Sequence, residues 1–141
     1  MWTCPRCDRA FANRNQSHAC GGWTLDDHFR ASTPEVAALV RGFVALVERV
    51  GPVELAPTKT RIGFKARMTF AALVPRRRWL DGHVVLARRR EEPRFRRIDS
   101  LGPRSHVHVF RIRTPDELDG EVLDWLREAY AVGLQEHLRT G

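Results

Sequence analysis

Hydrophobic rhythm divides the chain into segments and sets what it can fold into. Over STPEVAALVRGFVALVERVGP, apolar residues fall at Val36, Leu39, Val40, Phe43, Leu46, Val47 and Val50. That is the i, i+3, i+4 spacing of one buried helix face. Ser32 and Glu35 have capping-box spacing, Pro34 suits an early helical position, and Gly51 and Pro52 end the run. Gly42 is the weak point inside it. From Val53 to Arg113 the period shortens to two. Ile62, Phe64, Ala66, Met68, Phe70 and Ala72 share one parity, and Lys59, Arg61, Lys65, Arg67 and Thr69 share the other. Strands with one face on a core read this way. Helical spacing returns in TPDELDGEVLDWLREAYAVGLQEHL, where Leu118, Val122, Trp125, Leu126, Ala129 and Leu134 supply the apolar face. Thr114 and Glu117 repeat the capping-box spacing, with Pro115 between them.

Within the period-two region, PRRRW turns the chain, RWLDGHVVLARR reads as a strand, and HVHVFRIR reads as the last strand. REEPRFRRIDSLGPRS between them reads as a long polar loop. Ahead of the first long helix, TLDDHF predicts a short helical turn capped by Thr24. The expected fold is α+β: an antiparallel sheet of about four strands flanked by two long helices. A small N-terminal zinc-binding segment, residues 1–30, precedes the α+β domain, residues 31–141.

All three cysteines fall in CPRCDRAFANRNQSHAC. Cys4 and Cys7 have the spacing of a knuckle that points two sulfurs at one ion. His18 and Cys20 are two apart, so on an extended segment they face one way. Cys4, Cys7, His18 and Cys20 thus make a Cys₃His set for structural Zn²⁺, with His28 as the other candidate for the fourth ligand. A redox pair would call for a thioredoxin-like context that the sequence lacks. A disulfide would leave one cysteine over. The first residues, MWTCPRC, lack a signal peptide's apolar stretch, and no apolar run reaches the ~20 residues of a membrane span. A cytoplasmic protein with reduced thiols is expected.

Charge is unevenly placed. Between Lys59 and Arg113 stand 16 Lys or Arg against 4 Asp or Glu; from Thr114 onward there are 2 against 7. Such asymmetry points to a polyanionic partner, or to an acidic tail that packs beside the basic segment and neutralises part of it. Lys59, Arg61, Lys65 and Arg67 form a candidate anion- or nucleic-acid-binding stripe. His106 and His108, an HxH pair on the last strand, are candidates for an anion pocket or a second metal. No glycine-rich phosphate loop and no GxSxG elbow occurs.

Four stretches, WTCPRCDRAFANRNQSHAC…TLDDHF, KTRIGFKARMTFAAL, PRFRRIDSLGPRSHVHVFRI and PDELDGEVLDWLREAY, carry a further signal. Across them the chain resembles a bacterial family known only as domain of unknown function 5655. The resemblance supports the domain division and the zinc segment; it implies no activity. The leading expectation is a non-enzymatic, zinc-bearing module that engages nucleic acid through a basic sheet face. An anion pocket at His106 and His108, serving an enzyme or small-ligand protein, and a protein–protein adaptor are the alternatives.

Overall fold

The computed structural model describes residues 24–135, preceded by the backbone of two short strands, β1 (Trp2–Thr3) and β2 (Ala10–Phe11), which pair antiparallel. Cys4, Cys7, His18 and Cys20 lie outside the described residues.

Helix α1 (Leu25–Ala31) starts at a reciprocal cap. The Thr24 hydroxyl accepts from the Asp27 N–H, and the Asp27 carboxylate accepts from the Thr24 N–H at 2.8 Å. Helix α2 (Pro34–Val50) follows, capped by Thr33 rather than by Ser32. Pro34 is the first helical residue, so the cap is its immediate neighbour, whose hydroxyl accepts from Val36 N–H at 3.3 Å. Ser32 instead closes α1, donating its N–H to the His28 carbonyl at 3.0 Å. Gly42 has a packing role: a Cβ there would lie 2.7 Å from Leu118 Cδ1.

The sheet has six strands, not four. β3 (Glu54–Pro57), β4 (Ile62–Lys65), β5 (Thr69–Pro75), β6 (Leu80–Leu86), β7 (Arg97–Gly102) and β8 (Ser105–Ile112) run antiparallel in the order β3-β4-β5-β6-β8-β7. The two unexpected strands are the two edges. β7 lies inside the stretch expected to be loop. An edge strand is held by one neighbour and half buried, so it needs no clean alternation.

The run from Arg61 to Val74 is a hairpin with a bulge. Phe64 pairs with Ala71 and Lys65 with Thr69, so Phe70 is the extra residue. The bulge moves Ala72 to the face opposite Ile62 and Phe64, against the simple parity expectation, and brings Ala71 and Leu73 to theirs.

The final segment also differs from one continuous helix. Thr114 and Glu117 do form their box, but around a 3₁₀ turn at Pro115–Glu117. Asp119 then caps afresh, accepting from Val122 N–H at 3.2 Å, and helix α3 runs Gly120–Gly133. The acceptor-bearing Asp119 followed by Gly120 favours a new cap over continuation.

Helices α2 and α3 pack on one face of the sheet. Phe43 of α2 meets Phe64 and Phe110 at ring-centroid distances of 5.3 and 6.0 Å; Trp125 of α3 meets Phe110 at 5.5 Å and Phe95 at 4.4 Å. These rings, with Ile62, Leu73, Leu80 and Ile112, are the dry core. Among the described residues, no helix is long and apolar enough to cross a membrane.

Candidate anion-binding face

The sheet face turned away from α2 and α3 carries the candidate site. Strand register lines up one row across all six strands: Ala56, Gly63, Ala72, His83, Val109 and Arg97. A second row places Val74, Asp81 and Arg111 side by side. Gly63 and Ala72 of the first row are buried, and His83 beside them stands among arginines.

A cavity of about 440 Å³ opens here, bounded by Arg76, Asp81, His83, Arg96, Arg97 and Arg111. Asp81 holds two of these cations in place: Arg111 Nε donates to Oδ1 at 2.9 Å and Arg76 Nε to Oδ2 at 3.0 Å. Burial pushes the Asp81 carboxyl up, but the hydrogen bonds from Arg111 and Arg76 outweigh it and hold it below the ordinary range. Burial, aided by the Arg61 charge, pushes His83 below the ordinary histidine value, so it stands neutral among the cations at neutral pH. Arg97 pairs with Asp99 at 2.8 Å, whereas Arg96 forms no ion pair with a described residue.

Neighbouring cavities share walls with this one. Arg96 and Arg111 also bound a depression of about 260 Å³ with Arg94, Arg113 and the carboxylate-bearing Glu117. Val74 and Arg76 also bound a cavity of about 530 Å³ that reaches Lys59, Arg77 and the connection between α1 and α2. The three make one basic track along the domain.

The acidic tail neutralises a different set of arginines. Arg88 pairs with Glu128 at 2.8 Å, Arg90 with Asp124 at 2.9 Å and with Glu128 at 3.1 Å, and Arg94 with Asp119 at 3.1 Å. The pairing expected from charge asymmetry therefore exists, but it engages residues 88–94 and leaves most of the track to the other face.

A family model described as Domain of unknown function (DUF5655) matches residues 25–133. The chain belongs to that family. No curated protein and no solved structure matches it. The DUF5655 match spans α1 to the end of α3, so it contains every arginine of the track. It begins within the segment assigned from sequence to zinc binding.

Within the DUF5655 domain, the expected basic stripe is divided. β4 is four residues long, about 13 Å of strand. Lys59 and Arg61 lie before it; Lys59 lines the 530 Å³ cavity and Arg61 lines none of the three. Lys65 and Arg67 lie at its other end, where Arg67 N–H donates to the Gly133 carbonyl at 2.9 Å. His106 and His108 belong to the helix-covered face and are both buried. His108 Nδ1–H donates to the His106 carbonyl at 2.9 Å, and its Nε2 accepts from Arg90 N–H at 2.9 Å. Burial pushes the His108 ring below the ordinary histidine value, against the hydrogen bond to the His106 carbonyl, which raises it. His106 Nε2–H donates to the Pro103 carbonyl at 3.2 Å, and Nδ1 meets the Ser100 hydroxyl at 2.8 Å. The pair is engaged in packing and lines none of the three cavities. Among the described residues, no group of three or more His, Cys, Asp or Glu is gathered for a metal.

Sequence reading missed His83, Arg96 and Arg111 as a set. Alternation in LDGHVVL places Asp81 and His83 on one face, which was a usable signal. Arg96 and Arg97 join them only once β7 is recognised as a strand.

Proposed function

We propose that this chain is a non-enzymatic module that binds nucleic acid along the basic track and carries a structural zinc ion in its N-terminal segment. The observation that carries this reading is the linkage of three cavities through Val74, Arg76, Arg96 and Arg111. A compact anion needs one basic cavity; a chain of phosphates needs a succession of them. Arginine forks suit phosphate oxygens, and each cavity offers them. Most carboxylates of the tail pair on the helix side; Glu117, which lines the 260 Å³ depression, and Asp119, which pairs with Arg94 there, meet the path at that end alone among the described tail residues.

For the metal, Cys4, Cys7, His18 and Cys20 would supply three thiolates and one imidazole, a closed set that suits a structural ion. The β1–β2 pair supports this reading: its strands bracket, in sequence, the stretch that holds Cys4 and Cys7. His28 Nε2–H donates to the Thr58 carbonyl at 2.6 Å, which ties that ring to the connection between β3 and β4.

Fluorescence anisotropy with mixed-sequence DNA and RNA tests the reading. Binding at low salt should weaken steeply as salt rises, with a log–log slope set by the number of phosphates neutralised. Absence of binding to both at low salt refutes it.

A further inference from the structure

The 530 Å³ cavity at one end of the track differs from the rest of it. Among the described residues, three cations line it, Lys59, Arg76 and Arg77, together with the Ser32 and Thr60 hydroxyls, and no carboxylate does. Arg76 is shared with Asp81, while Lys59 and Arg77 form no ion pair with a described residue. The cavity is also built from pinned pieces. The turn bearing Lys59 and Thr60 is tied at its base: Thr58 N–H donates to the Arg61 carbonyl at 2.7 Å, and buried His28 donates to the Thr58 carbonyl at 2.6 Å. The turn bearing Arg76 and Arg77 is tied as well: Arg76 N–H donates to the Trp79 carbonyl at 2.9 Å, and the Thr33 hydroxyl donates to the Arg77 carbonyl at 3.3 Å. Two turns held by buried or cross-element hydrogen bonds bring their cations to one place before any ligand arrives, which lowers the ordering cost of binding.

A backbone phosphodiester carries one charge and is met by one cation. A phosphomonoester carries about −1.5 to −2 at neutral pH and three acceptor oxygens. It therefore favours a site with several cations, hydroxyl donors and no carboxylate. We infer that this cavity is a phosphomonoester pocket and that it takes the terminal phosphate of a nucleic-acid strand lying in the track. The strand-end source rests on the nucleic-acid reading above; the phosphomonoester chemistry does not.

The experiment compares one single-stranded oligonucleotide bearing a 5′-phosphate, a 3′-phosphate or hydroxyl ends, by anisotropy. One phosphorylated form should bind about tenfold tighter than the hydroxyl form, as expected for an added dianion. The double variant Lys59→Gln, Arg77→Gln should abolish that preference, so that phosphorylated and hydroxyl-ended forms bind alike, each somewhat more weakly than the hydroxyl-ended form binds the unaltered protein. Arg96→Glu should weaken all three forms alike. Equal binding of all forms overturns the strand-end assignment. In parallel, inorganic phosphate and a nucleoside monophosphate are titrated into the full chain, followed by amide shifts in NMR. Saturable shifts at residues 31–33, 59–60 and 76–77, lost in the double variant, support the pocket even where no oligonucleotide binds, an outcome that would refute the nucleic-acid reading alone. A nucleoside monophosphate that binds as tightly as the phosphorylated oligonucleotide assigns the pocket to a free nucleotide and overturns the strand end. No shift there with either probe, together with no end preference, overturns the pocket itself.

Discussion

The Arg111 guanidinium lies over the Trp79 ring, 4.5 Å from its centroid, while its Nε donates to Asp81 at 2.9 Å. One side chain is thus held by an aromatic face and a carboxylate at once, and it bounds two of the three cavities. Such a residue is preorganised for an anion. Arg111→Gln should weaken nucleic-acid binding about three- to tenfold and lower the salt slope by about one. Arg127→Gln, at an exposed position of α3, should change neither. Anisotropy across a salt series checks both.

His83 should make stability and binding depend on pH in opposite directions. Its value in the fold lies below the ordinary ~6.5, so the unfolded chain binds the proton more readily. Its contribution to stability is full above pH ~6.5 and declines as pH falls from there toward the folded value. His108, shifted the same way by burial, adds to the same window. Melting temperature should therefore drop between pH 7 and pH 5, and less so in His83→Gln. A bound polyanion reverses the local field of Arg61, Arg97 and Arg111 and favours the protonated ring. Affinity should rise on acidification through the same window, and that rise should shrink in His83→Gln.

Gly63 is buried within β4. A Cβ there would lie 3.6 Å from Ala56 Cβ and from the Ala56 carbonyl oxygen, an ordinary contact, so packing does not demand glycine. Gly63→Ala should keep the melting temperature or raise it slightly, because alanine loses less backbone freedom on folding. Thermal unfolding followed by circular dichroism checks it.

Gly133 is the contrasting case. A Cβ there would sit 2.6 Å from Phe70 Cδ1, and its carbonyl accepts from both Arg67 N–H and Met68 N–H at 2.9 Å. The end of α3 is thereby fastened to the β4–β5 hairpin, against the bulged residue. Gly133→Ala should cost about 1–3 kcal/mol through overpacking. Urea unfolding monitored by tryptophan fluorescence would show a lower midpoint at unchanged slope.

For the N-terminal segment, elemental analysis of protein purified without chelator should find about one zinc per chain, as one tetrahedral Cys₃His set implies. Cys7→Ser and Cys20→Ser should lose it, His18→Ala should weaken it, and His28→Ala should leave it bound. The domain should stay folded throughout, because its core is built from α2, α3 and the six-stranded sheet.

What could be read from the sequence follows how strongly each element is buried. α2 and the inner strands have a full apolar face, and their periodicity declared them. β3 and β7 are held from one side only, so Arg97-Ile98-Asp99-Ser100 looked like loop. The cap of α2 slipped by one residue because Ser32 and Thr33 are both good caps, and Pro34 decided between them. The basic stripe was legible as charge but not as a place. Its partition depended on where the short β4 begins and ends, and the main arginines of the face are Arg96, Arg97 and Arg111, which come together only across the ladder of β7 and β8.

The separation of charge between the two sides of the sheet has a consequence at a distance. Among the described residues, carboxylates of α3 gather on one side, while on the other Arg96 forms no ion pair and Arg76 and Arg111 share one carboxylate, so their charges make an electric dipole. Such a body experiences a torque in the field of a passing polyelectrolyte. Within about 10 Å, the screening distance at 0.1 M salt, it would turn its sheet toward the anion before any atom touches. The orientational search that slows ordinary docking would then be partly complete on arrival.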